Sequence, residues 1–314
     1  MTLKLFTQLA TTVTIAFFSL TACFTGIEST PKITADELKK DKKQPTSAED
    51  ELSAIIIPDS PSTWQPGRQY LVADNRIKLI FSTVDEKRLP SVGDTVIYNG
   101  FSSVPSLTGT TNVALKFHKK NDPTDILTYI AEISPDDFLQ RQRVDIPFLV
   151  DLSLVNKANQ LLGGKSLYIM SPYRYDMENH AVNGRKYIRV TVNNAVAGNA
   201  DYPIRVNLTD IDNKSFSVLM TTGTDRSSTR NFSTLFSTTD PRQRYQSITD
   251  ENWEAITYSR LKPYMTRDEA RLAVGSPTEI DRGHSYSSAY ERWVYPNGTY
   301  IIFEAGIIKS FRLC

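Results

Sequence analysis

Ile204-Arg-Val-Asn-Leu208 puts an apolar side chain at every second position, and this alternation decides the fold class of the 314-residue chain. Successive side chains of a β-strand leave opposite faces, so a period of two buries one face and wets the other. The pattern returns in Ile188, Val190 and Val192 around Arg189 and Thr191, and in Phe216, Val218 and Met220 around Ser217. Val113, Leu115 and Phe117 alternate with Lys116 and His118, and Ile77, Leu79 and Phe81 with Lys78 and Ser82. Half-wet strands of this kind belong to antiparallel sheets. Gly93-Asp94, Asn99-Gly100 and Asn183-Gly184 punctuate the runs as turn residues do.

The strands fall into two sets with shared landmarks. Gly67-Arg-Gln-Tyr-Leu-Val72 matches Gly164-Lys-Ser-Leu-Tyr-Ile169 in pattern, Gly93 is paired with Gly184, and Val113-Ala-Leu-Lys-Phe117 with Ile204-Arg-Val-Asn-Leu208. Recurrence in order points to a duplicated unit; chance resemblance between small β modules is the competing explanation. The expected fold class is mainly β with a C-terminal α+β domain. Two small antiparallel modules, sandwich or barrel-like, occupy 54–133 and 164–245. Residues 134–163 read as a helical connector, with Ser134-Pro-Asp-Asp137 as a helix start and Val155, Ala158 and Leu162 at helical spacing before Gly163.

Residues 246–314 read as helix, loop, helix and β-hairpin. Trp253 and Ile256 sit on a helix that starts at Thr249. Thr266-Arg-Asp-Glu269 is a capping box, in which hydroxyl and carboxylate satisfy each other's orphan amides. Ala270, Leu272, Ala273 and Val274 continue that helix until Gly275 and Pro277 stop it. After a polar loop, Tyr290–Tyr295 forms a strand, Asn297-Gly298 a tight turn, Thr299–Glu304 the return strand, and Gly306 turns the chain into Ile307–Phe311. The residues Met265-Thr266, Glu269, Gly275-Ser-Pro277, Glu291-Arg-Trp-Val-Tyr295, Gly298-Thr-Tyr300, Phe303-Glu304 and Gly306 resemble the BamE/SmpA-like domain. That domain is the small outer-membrane lipoprotein of the β-barrel assembly machinery, with a fold shared by β-lactamase inhibitor proteins. The likeness covers about the last fifth of the chain and departs from the family at Pro263-Tyr264, where a Gly is usual before the Met-Thr pair. It implies a binding or assembly role and no chemistry. Trp293, Tyr295, Tyr300 and Phe303 are then candidates for a core or for a partner-binding face; the alternation that puts Trp293 and Tyr295 on one side favours core.

At the other end, Lys4 precedes a stretch from Leu5 to Ala22 without a charge, closed by Leu20-Thr-Ala-Cys23. A basic start, an apolar middle and small residues before the cut make a secretory signal over 1–22. The four closing residues resemble the lipobox of bacterial lipoproteins, which implies cleavage before Cys23 and lipid attachment to its sulfur. An ordinary signal peptide or a single span are the alternatives; the threonines at 7, 11, 12 and 14 suit a span of about 20 apolar residues poorly. Residues 23–53 are polar, with acids interleaved among Lys39, Lys40, Lys42 and Lys43, and read as a lipidated cysteine followed by a flexible tether. The whole chain resembles envelope lipoproteins of the Bacteroidetes type. Phe24 stands after the cysteine where an aspartate would mark inner-membrane retention, and Phe24-Thr-Gly-Ile-Glu28 has one acid where a surface-export signal has a cluster, so an outer-membrane anchor facing the periplasm is expected.

Lys and Arg total 36 and Asp and Glu 35; losing 1–22 removes Lys4 and no acid, so the mature chain has no general pull on nucleic acid. With two cysteines, one of them Cys23 and the other Cys314, neither a disulfide framework nor a zinc site is expected. His118, His180 and His284 are scattered among polar neighbours, Asp136-Asp137 suits a helix start, and Asp210 and Asp212 suit a turn. No nucleophile elbow, metalloprotease helix or phosphate-cradling loop is present, so no enzyme activity, metal or cofactor is expected. The reading is a membrane-anchored, non-catalytic lipoprotein that binds or organises envelope protein partners. The alternative is a carbohydrate or peptidoglycan binder or hydrolase, with Trp64, Tyr98, Tyr173 and Tyr175 as glycan-binding rings.

Overall fold

Seventeen strands in three antiparallel sheets, with six helices, make up the computed structural model over its described residues, 48–106, 109–223, 230–285 and 288–313. The signal segment, Cys23, the tether up to residue 47 and Cys314 lie outside the described residues. The chain from residue 47 on is one compact unit with three apolar cores.

Helix α1, Ala48–Ile55, corrects the extent of the tether. Its last expected residues are helical because Leu52 and the following Ile56 find an apolar surface to cover. The Glu49 carboxylate accepts from the Thr238 amide, from the Thr238 hydroxyl at 2.8 Å and from Ser237 Oγ at 3.2 Å. Burial opposes its charge, yet these donors hold its pKa down at about 2.

The first sheet contains β1 Gln69–Val72, β2 Phe81–Ser82, β3 Thr95–Pro105, β4 Thr111–Lys119, β5 Asp122–Ala131 and β6 Leu149–Asp151, in the order β2-β5-β4-β3-β1-β6. Helix α2, Pro135–Gln140, lies between β5 and β6, and its N-cap Ser134 Oγ accepts from the Asp137 amide. The strand expected around Ile77 and Leu79 is instead a 3₁₀ turn, Asn75–Leu79. Asp74 caps it by accepting from the Arg76 amide, a local bond that competes with sheet pairing. Because β6 pairs with β1, residues 134–151 complete the first unit and do not form a connector.

Helix α3, Leu152–Leu162, packs Leu154, Ala158 and Leu162 into the second core. The second sheet contains β7 Ser166–Ile169, β8 Tyr173–Tyr175, β9 Ala181–Asn183, β10 Ile188–Ala197, β11 Ile204–Asp210, β12 Ser215–Met220 and, after the short helix α4 Phe232–Leu235, β13 Phe236–Ser237. Its order from the opposite edge is β9-β8-β12-β11-β10-β7-β13. With β9 set aside, this is the first sheet again, strand for strand: β8 stands for β2, β12 for β5, β11 for β4, β10 for β3, β7 for β1 and β13 for β6. One irregularity repeats as well. The β3–β4 register shifts between Tyr98 and Gly100, and the β10–β11 register between Val192 and Asn194, leaving an asparagine, Asn99 or Asn193, at each bulge. The bulge sends Ala195 rather than Asn194 into the second core.

Hydrogen bonds correct one landmark of the repeat. Gly67 and Gly164 donate alike to Tyr98 O and Val192 O, both at 2.8 Å, but Gly93 donates to Val72 O where Tyr187, not Gly184, donates to Ile169 O. Gly93 has φ of +93° and Tyr187 φ of +58°. The position demands left-handed backbone, and the second copy fills it with a bulky residue at a cost of about 1–3 kcal/mol.

What holds Tyr187 there is the third unit. Helix α5, Asp250–Thr257, starts at Thr249, whose hydroxyl accepts from the Asn252 amide, and helix α6, Arg267–Val274, carries the full Thr266–Glu269 capping box. Trp253 of α5 stacks on the Tyr187 ring at 5.6 Å. The strands β14 Glu279–Ser285, β15 Ser288–Val294, β16 Tyr300–Glu304 and β17 Ile307–Arg312 pair in sequence order. The expected polar loop before Tyr290 is therefore mostly strand. As an edge strand, β14 needs no apolar alternation; the ladder from Glu279↔Val294 to Ser285↔Ser288 supplies its order.

Candidate functional site

Registers place the aromatic residues picked from sequence. Trp293 pairs with Ile301 and faces α6, where it is fully buried with the Arg271 guanidinium 4.7 Å from its ring. Phe303 is buried 4.6 Å from Trp293, and Tyr295 is buried with its hydroxyl donating to Gly275 O at 3.0 Å. Burial pushes the Tyr295 hydroxyl up to about 12, against the nearby Arg271 charge. These three are core, which removes them as a partner face. Tyr300 alone of the four lies on the other side of the sheet, half-exposed, with the Arg292 guanidinium 5.2 Å from its ring and Val294 and Ile302 half-exposed beside it.

The glycan candidates separate as well. Trp64 and Tyr98 meet edge to face at 5.7 Å inside the first core. Tyr173 and Tyr175 stand on β8 of the second sheet, Tyr173 exposed and Tyr175 accepting from Arg230 Nη1 at 3.4 Å. No single site unites the four, because two of them are spent on packing. Of the histidines, His118 lies 2.7 Å from Asn99 Oδ1 at the first bulge, His180 sits 3.5 Å from Asp176, and His284 is exposed on β14 rather than in a loop.

A cleft of about 860 Å³ opens where the β8–β9 hairpin and the β11–β12 turn meet the ends of α5 and α6. Sequence reading did not find it. Arg174 is the inward residue of β8, only 7% exposed, with its guanidinium 3.9 Å from the Phe216 ring centre and Nη2 donating to Arg185 O. Burial lowers its pKa to about 10, against the charge of Asp210. Gly184 makes room for it, since a Cβ there would come within 2.2 Å of the guanidinium. Asp210 itself is committed to its turn, accepting from the Asp212 and Lys214 amides at 2.9 Å each. Lys186 is 6% exposed and donates to Ala273 O at 2.7 Å, so it caps the C-terminus of α6; burial brings its pKa down to about 8. Arg185 and Arg260 place guanidiniums 4.9 and 5.0 Å from the one Tyr258 ring. The only trace in sequence was a charged residue at the inward position of Tyr173-Arg174-Tyr175, where alternation calls for an apolar one. Compared with known proteins, no family model matches this chain, and no curated protein matches it.

Proposed function

We propose that this protein is a lipid-anchored, non-catalytic envelope lipoprotein that docks a protein partner at the outer membrane through its C-terminal unit. The observation that carries the docking role is the sheet face opposite α6, where half-exposed Tyr300, Ile302 and Val294 adjoin exposed Arg292 and Arg312. Half-wet aromatic and aliphatic side chains beside arginine match the composition of protein interfaces. The anchor rests on Leu20-Thr-Ala-Cys23, and the finer likeness of residues 246–314 to the BamE/SmpA-like domain belongs to the same reading. Two helices followed by an antiparallel sheet agree with it in outline.

The test is photocrosslinking in cells from position 300 or 302, together with fractionation of Cys23→Ser. A discrete adduct at either position, absent when the crosslinker stands at core position 293, and release of the Cys23→Ser form from envelopes are expected. No adduct removes the docking role; a Cys23→Ser form that still sediments with membranes removes the anchor.

A further inference from the structure

The cleft beside α6 holds more positive charge than the fold uses. Among the described residues, Arg185 is the one cleft cation with a carboxylate oxygen within 4 Å, Asp212 Oδ2 at 3.4 Å. Arg174, Lys186, Lys214 and Arg260 have none. Two of these, Arg174 and Lys186, are more than nine-tenths buried, and a buried cation without a directly paired counter-charge is costly. Lys186 is accounted for by its helix cap. Arg174 is accounted for in part, by the more distant Asp210 charge, the Phe216 ring and Arg185 O. Its Nε lies buried without a hydrogen-bond partner, as do Arg185 Nε and Ser259 Oγ, all three in the lining of this cleft. Arg185 and Arg260 each place a guanidinium about 5 Å from the Tyr258 ring, in the lining of the same cleft. An anion held there would give Arg260 the counter-charge it lacks.

We infer that this cleft binds a small ligand presenting a carboxylate on an apolar body. Arg185 and Arg260 hold the carboxylate, Arg174 supplies charge from behind, and Tyr173 and Tyr258 form the apolar walls. A carboxylate fits better than a phosphate dianion because Asp176, Asp210 and Asp212 also line the cleft and hold its net charge to a small positive value. Guanidinium pairs with planar carboxylate through parallel donors, a geometry that lysine could not reproduce.

Calorimetric titration of the full-length protein with sodium benzoate, and separately with sodium phosphate, both at constant ionic strength, decides the matter. Benzoate is expected to saturate one site with Kd near 1 mM. Arg260→Met and Arg185→Met should each weaken it by about tenfold or more. Arg141→Met, in the first unit, should bind like the unaltered protein. Arg260 is exposed, so its variant folds even if Arg185→Met does not. The inference fails if benzoate shows no saturable heat, if folded Arg260→Met binds it unchanged, or if phosphate saturates the cleft and benzoate does not.

Discussion

Lys186 shows how one residue serves two masters. It closes the α6 C-terminus through Ala273 O, and its amide donates to Thr257 O, so it ties the second sheet to both helices of the third unit. Burial disfavours its charge and lowers the folded pKa from 10.5 to about 8. Between those values the unfolded chain binds the proton that the folded chain has released. Stability therefore rises with pH through that window, and below about pH 8 the burial penalty is present in full. Urea unfolding followed from pH 7 to 10 should show this rise, and Lys186→Met should flatten it. A rise of the same size in the variant would mean that another group is responsible.

Helix starts were legible where a capping bond is followed by an apolar helical pattern. The Thr266–Glu269 box was readable because donor and acceptor lie three residues apart, and the Glu269 carboxylate does accept from the Thr266 amide at 2.7 Å. Thr266→Ala should lower stability by about 1 kcal/mol in chemical denaturation, the usual worth of an N-cap. Thr266→Ser should recover most of it, which separates the cap from simple loss of side-chain volume. Strands that pack one face were equally plain, from Val113–Phe117 to Ile204–Leu208. Those that pack neither face were not: β14 is held by its neighbour's backbone, which leaves no mark on its own side chains. The 3₁₀ turn at Asn75–Leu79 reversed a correct-looking alternation, because the Asp74 cap offered the backbone a nearer partner.

Across the whole molecule, chain order and packing order differ. Helix α1 precedes the first sheet but covers the second, with Leu52 and Ile56 in the second core and Glu49 tied to Thr238. Ile56→Ala should therefore cost about 2–4 kcal/mol, as a fully buried aliphatic does. Hydrogen exchange should place the loss in β10–β12 of the second sheet and spare β3–β5. Protection lost first in the first sheet would contradict this wrapping. The third unit is joined by Tyr187, whose left-handed backbone is kept in place by the Trp253 stack. The residue that departs from the repeat is thus the one that makes the joint.

Sequence by itself determined the β class and the caps at Thr249 and Thr266, because each depends on neighbours two to four residues apart; it suggested the two-part repeat, which the strand order then decided. It also carried the motif at Cys23, which needs no fold to be read. Tertiary structure decided which rings are core and which are surface, since Trp293 and Tyr300 differ only in the sheet face that their register assigns. It alone assembled the cleft. The β8–β9 hairpin sets Arg174 beside Arg185, and the docking of α5 and α6 on the second sheet adds Arg260 to the same lining.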